Sequence, residues 1–121
     1  MNPYGRASAV LLVLAALGGC AWPTHDQSRL AEVKTEAALL VAQHPVNPQG
    51  WADIPREQWP RAIASLGPRD VTVFRWGVDV TTKPYFDGGW GYDIPTDKRD
   101  LPMPAQCYSD LGQGVFWHGP C

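Results

Sequence analysis

The sequence predicts an α+β domain in which two N-terminal helices pack on a small antiparallel sheet of about four strands. Three observations predict this class. Apolar residues first recur at three- and four-residue spacing, which is the period of an amphipathic helix. Further along the chain, apolar and polar residues alternate, as they do in half-buried strands. The 12 Gly and 12 Pro among 121 residues exceed average usage and indicate a fold rich in loops.

The first helix is predicted to begin near residue 25 and to end near Gln43. Thr24 followed by Gln27 matches the spacing of a capping box, and Pro45 stops the helix. Its apolar stripe is expected to face the core, and consists of Leu30, Val33, Ala37, Leu40 and Val41. The alternative, a helix lying on a membrane surface, fits less well because the polar face carries charges of both signs.

A surface linker and a second, shorter helix are predicted to follow. Pro48 and Gly50 interrupt the segment from Val46 to Asp53, which favours a linker that includes Trp51. The second helix is predicted over Pro60 to Leu66, with a turn of helix before it. These two helices would together cover one face of the sheet.

The sheet is predicted to start with a hairpin. Val71 to Phe74 and Val78 to Thr81 alternate in polarity, with Trp76-Gly77 or a four-residue loop of the same parity between them. The shorter loop would place Val73 opposite Val80, which gives one mostly apolar face.

Two further strands are predicted, over Trp90 to Ile94 and over Val115 to His118. The segment between them, from Thr96 to Ala105, contains two prolines and is expected to be an irregular loop.

The first twenty residues are typical of an export signal. Arg6 precedes an apolar run from Ala7 to Leu17, which is too short to span a bilayer. The run ends in Leu17-Gly18-Gly19-Cys20, which resembles the lipobox of bacterial lipoproteins. This resemblance implies cleavage before Cys20, lipidation of its sulfur, a signal peptide over residues 1–19 and a single mature domain over 20–121.

The resemblance also implies a location. A mature lipoprotein of this type carries several acyl chains, palmitate among them, and two or more chains hold a protein stably in a membrane. Ala21 stands where Asp would favour the inner membrane, so the outer membrane, facing the periplasm, is expected if the source is Gram-negative. The alternative is a cut after Ala21 by the general signal peptidase, which would release a soluble periplasmic protein.

With Cys20 lipidated, two thiols remain in an oxidising compartment, and we predict a disulfide between Cys107 and Cys121. Such a bridge closes a loop of about 15 residues and stabilises by about 3 kcal/mol. The alternative is a Cys107 nucleophile paired with His118 and oriented by Asp110. It is disfavoured because a partner thiol is present and no helix start lowers the pKa of the Cys107 thiol.

Several function classes are disfavoured by composition and spacing. Lys and Arg total 10 against 12 Asp and Glu, so no basic footprint for nucleic acid exists. The three His lie in separate segments without zinc-site spacing, so neither a metal centre nor another cofactor is predicted. Asp93, Asp97 and Asp100 lack the pattern of a calcium loop and are expected to be solvated.

An enzyme is not predicted either. Glycan hydrolysis needs two carboxylates at a set separation, and the candidates are Glu57, Asp87 and Asp93, each close to a Trp. A Trp-rich chain places acids beside Trp by chance, so a surface hydrolase is the last alternative.

The aromatic residues of the sheet suggest binding. Trp76, Trp90, Tyr92 and Trp117 are the candidate ligand-binding residues if one face of the sheet is exposed. Their alternative role is ordinary packing. We expect an envelope-anchored module that binds another envelope protein. The alternatives are a module that binds peptidoglycan or another glycan, and a membrane-held inhibitor or immunity-type protein.

Overall fold

The computed structural model describes residues 22–86 and 88–121. The helices are α1 (Gln27–Gln43) and α2 (Arg61–Ala64), and three 3-10 turns cover Arg56–Gln58, Lys98–Asp100 and Ala105–Cys107. The strands are β1 (Trp51–Asp53), β2 (Asp70–Phe74), β3 (Gly77–Tyr85), β4 (Gly88–Pro95), β5 (Tyr108–Gly112) and β6 (Val115–His118). The predicted signal peptide and Cys20 lie outside the described residues.

The predicted α+β class with an antiparallel sheet is confirmed, but two details of the prediction are wrong. The sheet has six strands in the order β1-β2-β3-β4-β6-β5, where about four were expected. The second helix follows β1 in the chain, so the helices are not both N-terminal. The missed strands, β1 and β5, are the two edges of the sheet.

Helix α1 ends at Gln43 as predicted, but its N-cap is Asp26 instead of Thr24. The Asp26 carboxylate accepts hydrogen bonds from the backbone N–H groups of Ser28 (3.1 Å) and Arg29 (3.3 Å). Asp is at least as good an N-cap as Thr, because its short carboxylate reaches the same free N–H groups. The helix buries Leu30, Val33, Ala37 and Leu40, so its apolar stripe is a core face.

The predicted linker contains edge strand β1, where Trp51 pairs with Phe74 and Asp53 with Thr72. A strand of three residues is too short to show an alternating pattern. Helix α2 is shorter than its prediction, and the turn expected before it is the 3-10 turn at Arg56–Gln58. The Glu36 carboxylate of α1 accepts the N–H groups of Ala62 (3.0 Å) and Ile63 (2.8 Å), which fixes α2 against α1.

The β2–β3 hairpin has a different register from the predicted one. Phe74 pairs with Gly77, so the loop is Arg75-Trp76, and Val73 pairs with Val78 instead of Val80. Gly77 belongs to the strand because it lies directly against the backbone of β4, where a side chain would collide with Ile94. The shift is an even number of residues, so every side chain keeps its predicted face.

The apolar face of the sheet packs under the helices and forms the core. It contributes Val71, Val73, Val78, Val80, Tyr92 and Ile94, which are all buried. Strands β4 and β6 match their predicted positions closely, and the segment between β4 and β5 has no regular element beyond two 3-10 turns. The predicted disulfide between Cys107 and Cys121 is confirmed, with the two Cα atoms 5.9 Å apart. Within the described ranges, no helix combines the length and apolar character needed to cross a membrane.

Candidate functional site

A cluster of ionisable side chains lies on the face of the sheet opposite the helices. We call Asp79, Asp93 and His118 the polar cluster. Asp79 of β3 and Asp93 of β4 are direct cross-strand partners. His118 of β6 is paired with Gly91, which has no side chain, so the imidazole reaches across β4 towards Asp79. The strand alternation that points the valines into the core thus points these residues to the other side.

The polar cluster is buried to an unusual degree for charged groups. Asp93 is 2% exposed and His118 is 7% exposed, whereas the Asp79 side chain is 21% exposed. Tyr108 from edge strand β5 packs its ring edge-on against His118, with centroids 5.8 Å apart. Charged groups are seldom fully buried unless they are paired or bind a metal, so this placement requires an explanation.

Each member of the polar cluster has its outer polar atom held by a neighbour. Thr81 donates its hydroxyl to Asp79 Oδ2 (2.8 Å), and Tyr108 donates its hydroxyl to Asp93 Oδ2 (2.7 Å). His118 Nδ1 lies 3.3 Å from the carbonyl oxygen of Gly119. A carbonyl oxygen can only accept, so Nδ1 carries a proton and Nε2 is the atom turned towards the carboxylates.

The inner atoms face one another without hydrogen bonds. His118 Nε2 lies 3.4 Å from Asp93 Oδ1 and 3.6 Å from Asp79 Oδ1. Asp93 Oδ1 and His118 Nε2 are buried and have no hydrogen-bond partner among the described residues. Three donor atoms therefore converge on one point between β3, β4 and β6.

Burial and mutual proximity shift the pKa values of the polar cluster. Burial raises the pKa of Asp93, and the nearby charge of Asp79 raises it further. Burial opposes protonation of His118, but the carboxylates of Asp79 and Asp93 outweigh this and raise its pKa. Asp79 is also partly desolvated, yet its contact with His118 and other polar neighbours lowers its pKa. The cluster thus favours a positive charge between two carboxylates.

One surface pocket of about 330 Å³ lies elsewhere. Its lining includes Lys34, Lys98, Asp110 and Phe116, but none of the three residues of the polar cluster. The polar cluster is therefore not part of this pocket.

A second feature is an extension of the β3–β4 hairpin, here called the aromatic arm and defined as residues 82–86 and 88–90. Strand β2 pairs with β3 only as far as Thr81, and β6 pairs with β4 only from Gly91. The arm therefore projects beyond the neighbouring strands as a two-stranded ribbon. At its end Phe86 is 96% exposed and Tyr85 is 56% exposed.

The four aromatic residues predicted to bind a ligand do not form one exposed surface. Tyr92 is 3% exposed and belongs to the core, which removes it from the candidates, and Trp117 packs edge-on against it. Trp76 is half-buried and lies at the β2–β3 turn, at the other end of β3 from the aromatic arm. Trp90 is half-buried at the base of the arm, in edge contact with Tyr85.

The candidates for catalysis are likewise dispersed. Cys107 is engaged in the disulfide, so it is not a free nucleophile for His118 and Asp110. Asp97 forms an exposed ion pair with Arg99 (2.6 Å), away from the buried Asp93. Glu57 is exposed on a 3-10 turn. Asp87 lies outside the described residues.

Sequence reasoning missed the polar cluster and the tip of the aromatic arm as sites. Asp79 and Asp93 stand at positions that alternate with buried residues, which normally face solvent. A signal was present, because Asp is depleted inside strands and both residues lie in the middle of one. Comparison of the chain with protein-family models, curated proteins and solved structures gives no match.

Proposed function

We propose that this chain is an exported protein held in the bacterial envelope by lipid on Cys20, and that it binds another envelope protein through the aromatic arm. The observation that carries this proposal is the exposure of Phe86 and Tyr85 at the end of a projecting ribbon. Adjacent exposed apolar side chains that form a patch are typical of interaction sites, and aromatic residues are enriched in the centres of protein interfaces.

The disulfide supports the export part of the proposal. Disulfides persist in the periplasm and other oxidising compartments and are rare in the reducing cytosol. The bridge between Cys107 and Cys121 uses both thiols that remain when Cys20 is assigned to lipid. The lipobox resemblance and the disulfide thus agree on the side of the membrane where the domain lies.

The geometry of the aromatic arm favours a protein partner over a glycan. Sugar recognition by aromatic residues needs an open ring face, and Lys83 Nζ lies over the Trp90 ring, 4.9 Å from its centre. Trp76 is stacked on Phe74, with the ring planes 7° apart. Tyr85 and Phe86 meet edge to face at 77° and form no flat platform. A protruding Phe86 instead fits a pocket on a partner protein.

The binding proposal is tested by photocrosslinking in intact cells that produce the full-length chain. A photoreactive phenylalanine analogue at Phe86 should give a discrete protein adduct. The same analogue at Leu39, which is 53% exposed on α1, is the matched control and should not give that adduct. Adding Tyr85→Ser to the position-86 probe should reduce the adduct up to about thirtyfold, because aromatic anchors buried in an interface contribute about 2 kcal/mol to binding.

Three outcomes would overturn the proposal. Equal adducts from positions 86 and 39 would indicate collisional labelling, and no adduct at position 86 would show that the aromatic arm is free. Adducts with peptidoglycan fragments alone would show that the partner is a glycan and not a protein.

The anchor is tested separately by the intact mass of the mature protein. We expect a chain that begins at Cys20 and carries acyl groups, and a Cys20→Ser variant that is neither lipidated nor cleaved before residue 20. A mature chain beginning at Trp22 without lipid would contradict the anchor and leave the binding proposal standing.

A further inference from the structure

We propose that Asp79, Asp93 and His118 bind a divalent transition-metal ion, with Zn²⁺ as the best fit. The ligand atoms are Asp79 Oδ1, Asp93 Oδ1 and His118 Nε2, which converge between β3, β4 and β6. The proposal is independent of the aromatic arm and of the lipid anchor.

Two of the three separations between the donor atoms match a tetrahedral ion. Bonds of about 2.0–2.1 Å from Zn²⁺ to N and O place neighbouring ligand atoms about 3.3 Å apart. His118 Nε2 lies 3.4 Å and 3.6 Å from the two carboxylate oxygens. Both separations exceed ordinary hydrogen bonds, and all three donor atoms lie within 4.8 Å of one another, so the carboxylates need to close around the ion only where their own separation exceeds the tetrahedral one.

Two buried atoms of the polar cluster face each other across 3.4 Å without forming a hydrogen bond. Asp93 Oδ1 and His118 Nε2 have no hydrogen-bond partner among the described residues, although both residues are more than nine-tenths buried. A buried polar atom without a hydrogen bond lowers stability because it has lost its contact with water. An ion between the three donors would satisfy both atoms at once.

The surroundings of the polar cluster match those of metal ligands in other proteins. A metal-binding His typically donates its other ring N–H to a carbonyl or carboxylate, and ligating carboxylates are themselves hydrogen-bonded. Here Nδ1 of His118 is placed on the Gly119 carbonyl, and the Oδ2 atoms of Asp79 and Asp93 accept hydroxyl groups. Three separate neighbours thus direct the free atom of each ligand inward.

The donor set selects among ions. One imidazole nitrogen and two carboxylate oxygens suit Zn²⁺ and related transition metals, whereas Ca²⁺ requires six to eight oxygen ligands. Two carboxylates also balance the double positive charge. The Asp79 side chain is 21% exposed, so the cluster opens to solvent on that side and leaves a fourth position for water.

The test is calorimetric titration of the full-length, metal-stripped protein with ZnCl₂, and with MgCl₂ as the comparison ion. We expect one Zn²⁺ per chain and no measurable Mg²⁺ binding. Asp79→Asn should weaken Zn²⁺ binding at least about tenfold, a lower bound because even neighbours of metal ligands contribute 10–100-fold. Asp97→Asn, an exposed carboxylate paired with Arg99 outside the cluster, is the matched control and should bind Zn²⁺ like the wild type.

A second measurement does not depend on any variant folding. Co²⁺ bound to the wild-type protein should give the intense visible absorption of a tetrahedral site, and Zn²⁺ should displace it. Absence of Zn²⁺ binding would overturn the proposal. So would binding that is unchanged in Asp79→Asn, because the ion would then occupy another part of the chain, or a six-coordinate Co²⁺ spectrum.

Discussion

The two faces of the sheet are built from alternate residues of the same strands, yet they are held together by different physics. On the helix side, Val78 and Val80 are fully buried among other apolar groups. Between them in the chain, Asp79 points to the opposite face, where it meets Asp93 and His118. Neighbouring residues of β3 therefore contribute alternately to the apolar core and to the polar cluster.

The energetic balance differs between the faces. Burial of apolar surface stabilises by about 25 cal/mol per Å² without any requirement for exact partners. A buried charge costs several kcal/mol unless its partners are well placed, and Asp93 Oδ1 accepts no hydrogen bond within the described residues, its contact with His118 Nε2 being 3.4 Å long. Burial of the valines on the helix side therefore stabilises the domain without exact partners, whereas the buried charges of the polar face are costly, which is consistent with the proposed metal site.

A substitution in the apolar face should reduce stability most. Leu30→Ala removes a fully buried side chain from α1 and should lower the free energy of unfolding by about 2–5 kcal/mol. Leu39→Ala on the same helix is the control, because Leu39 is 53% exposed and its loss should change stability by less than about 0.5 kcal/mol. Urea unfolding followed by circular dichroism measures both, and similar losses would show that α1 does not pack as described.

The disulfide has the second largest effect, because it joins the 3-10 turn before β5 to the residues after β6. The Cys107→Ser/Cys121→Ser variant should lose about 3 kcal/mol, as the loop-entropy argument gives for a loop of this length. Local loosening should appear first where the bridge joins the chain. Hydrogen exchange should rise in β5 and at the end of β6 before it rises in β2, and a uniform rise would contradict this localisation.

The apolar side was predictable from the sequence because its signals are local. Alternation in β2 and β3 identifies which valines share a face. This assignment is correct although Gly77 was predicted to lie in the loop, because the observed register differs from the predicted one by an even number of residues. The disulfide was predictable by counting thiols once Cys20 was set aside. Neither inference needed information on which strands become neighbours.

The polar side was not predictable for the opposite reason. Asp79, Asp93 and His118 come from three strands, and they meet only because β6 lies beside β4 in the sheet. Edge strand β5 supplies Tyr108, but its segment Tyr108–Gly112 has mixed polarity and is mostly not buried. The polar cluster depends on the order of the strands and on an edge strand without clear alternation of polarity, and neither can be read from a single sequence.

A variant that removes a single oxygen atom from the polar face should change stability least, yet it separates the two roles of that face best. Tyr108→Phe keeps the ring against His118 and Phe116 but deletes the hydroxyl that donates to Asp93 Oδ2. A hydrogen bond to a charged group contributes about 1.5–3 kcal/mol, and partial exposure of Tyr108 places the expected loss near the lower end. If the polar face is a metal site, the same variant should also bind Zn²⁺ about 10–100-fold more weakly, because Asp93 loses the neighbour that orients it. A purely structural polar cluster would show the stability loss without any Zn²⁺ binding to weaken. Calorimetry and urea unfolding of this one variant therefore distinguish a face kept for packing from a face kept for a ligand.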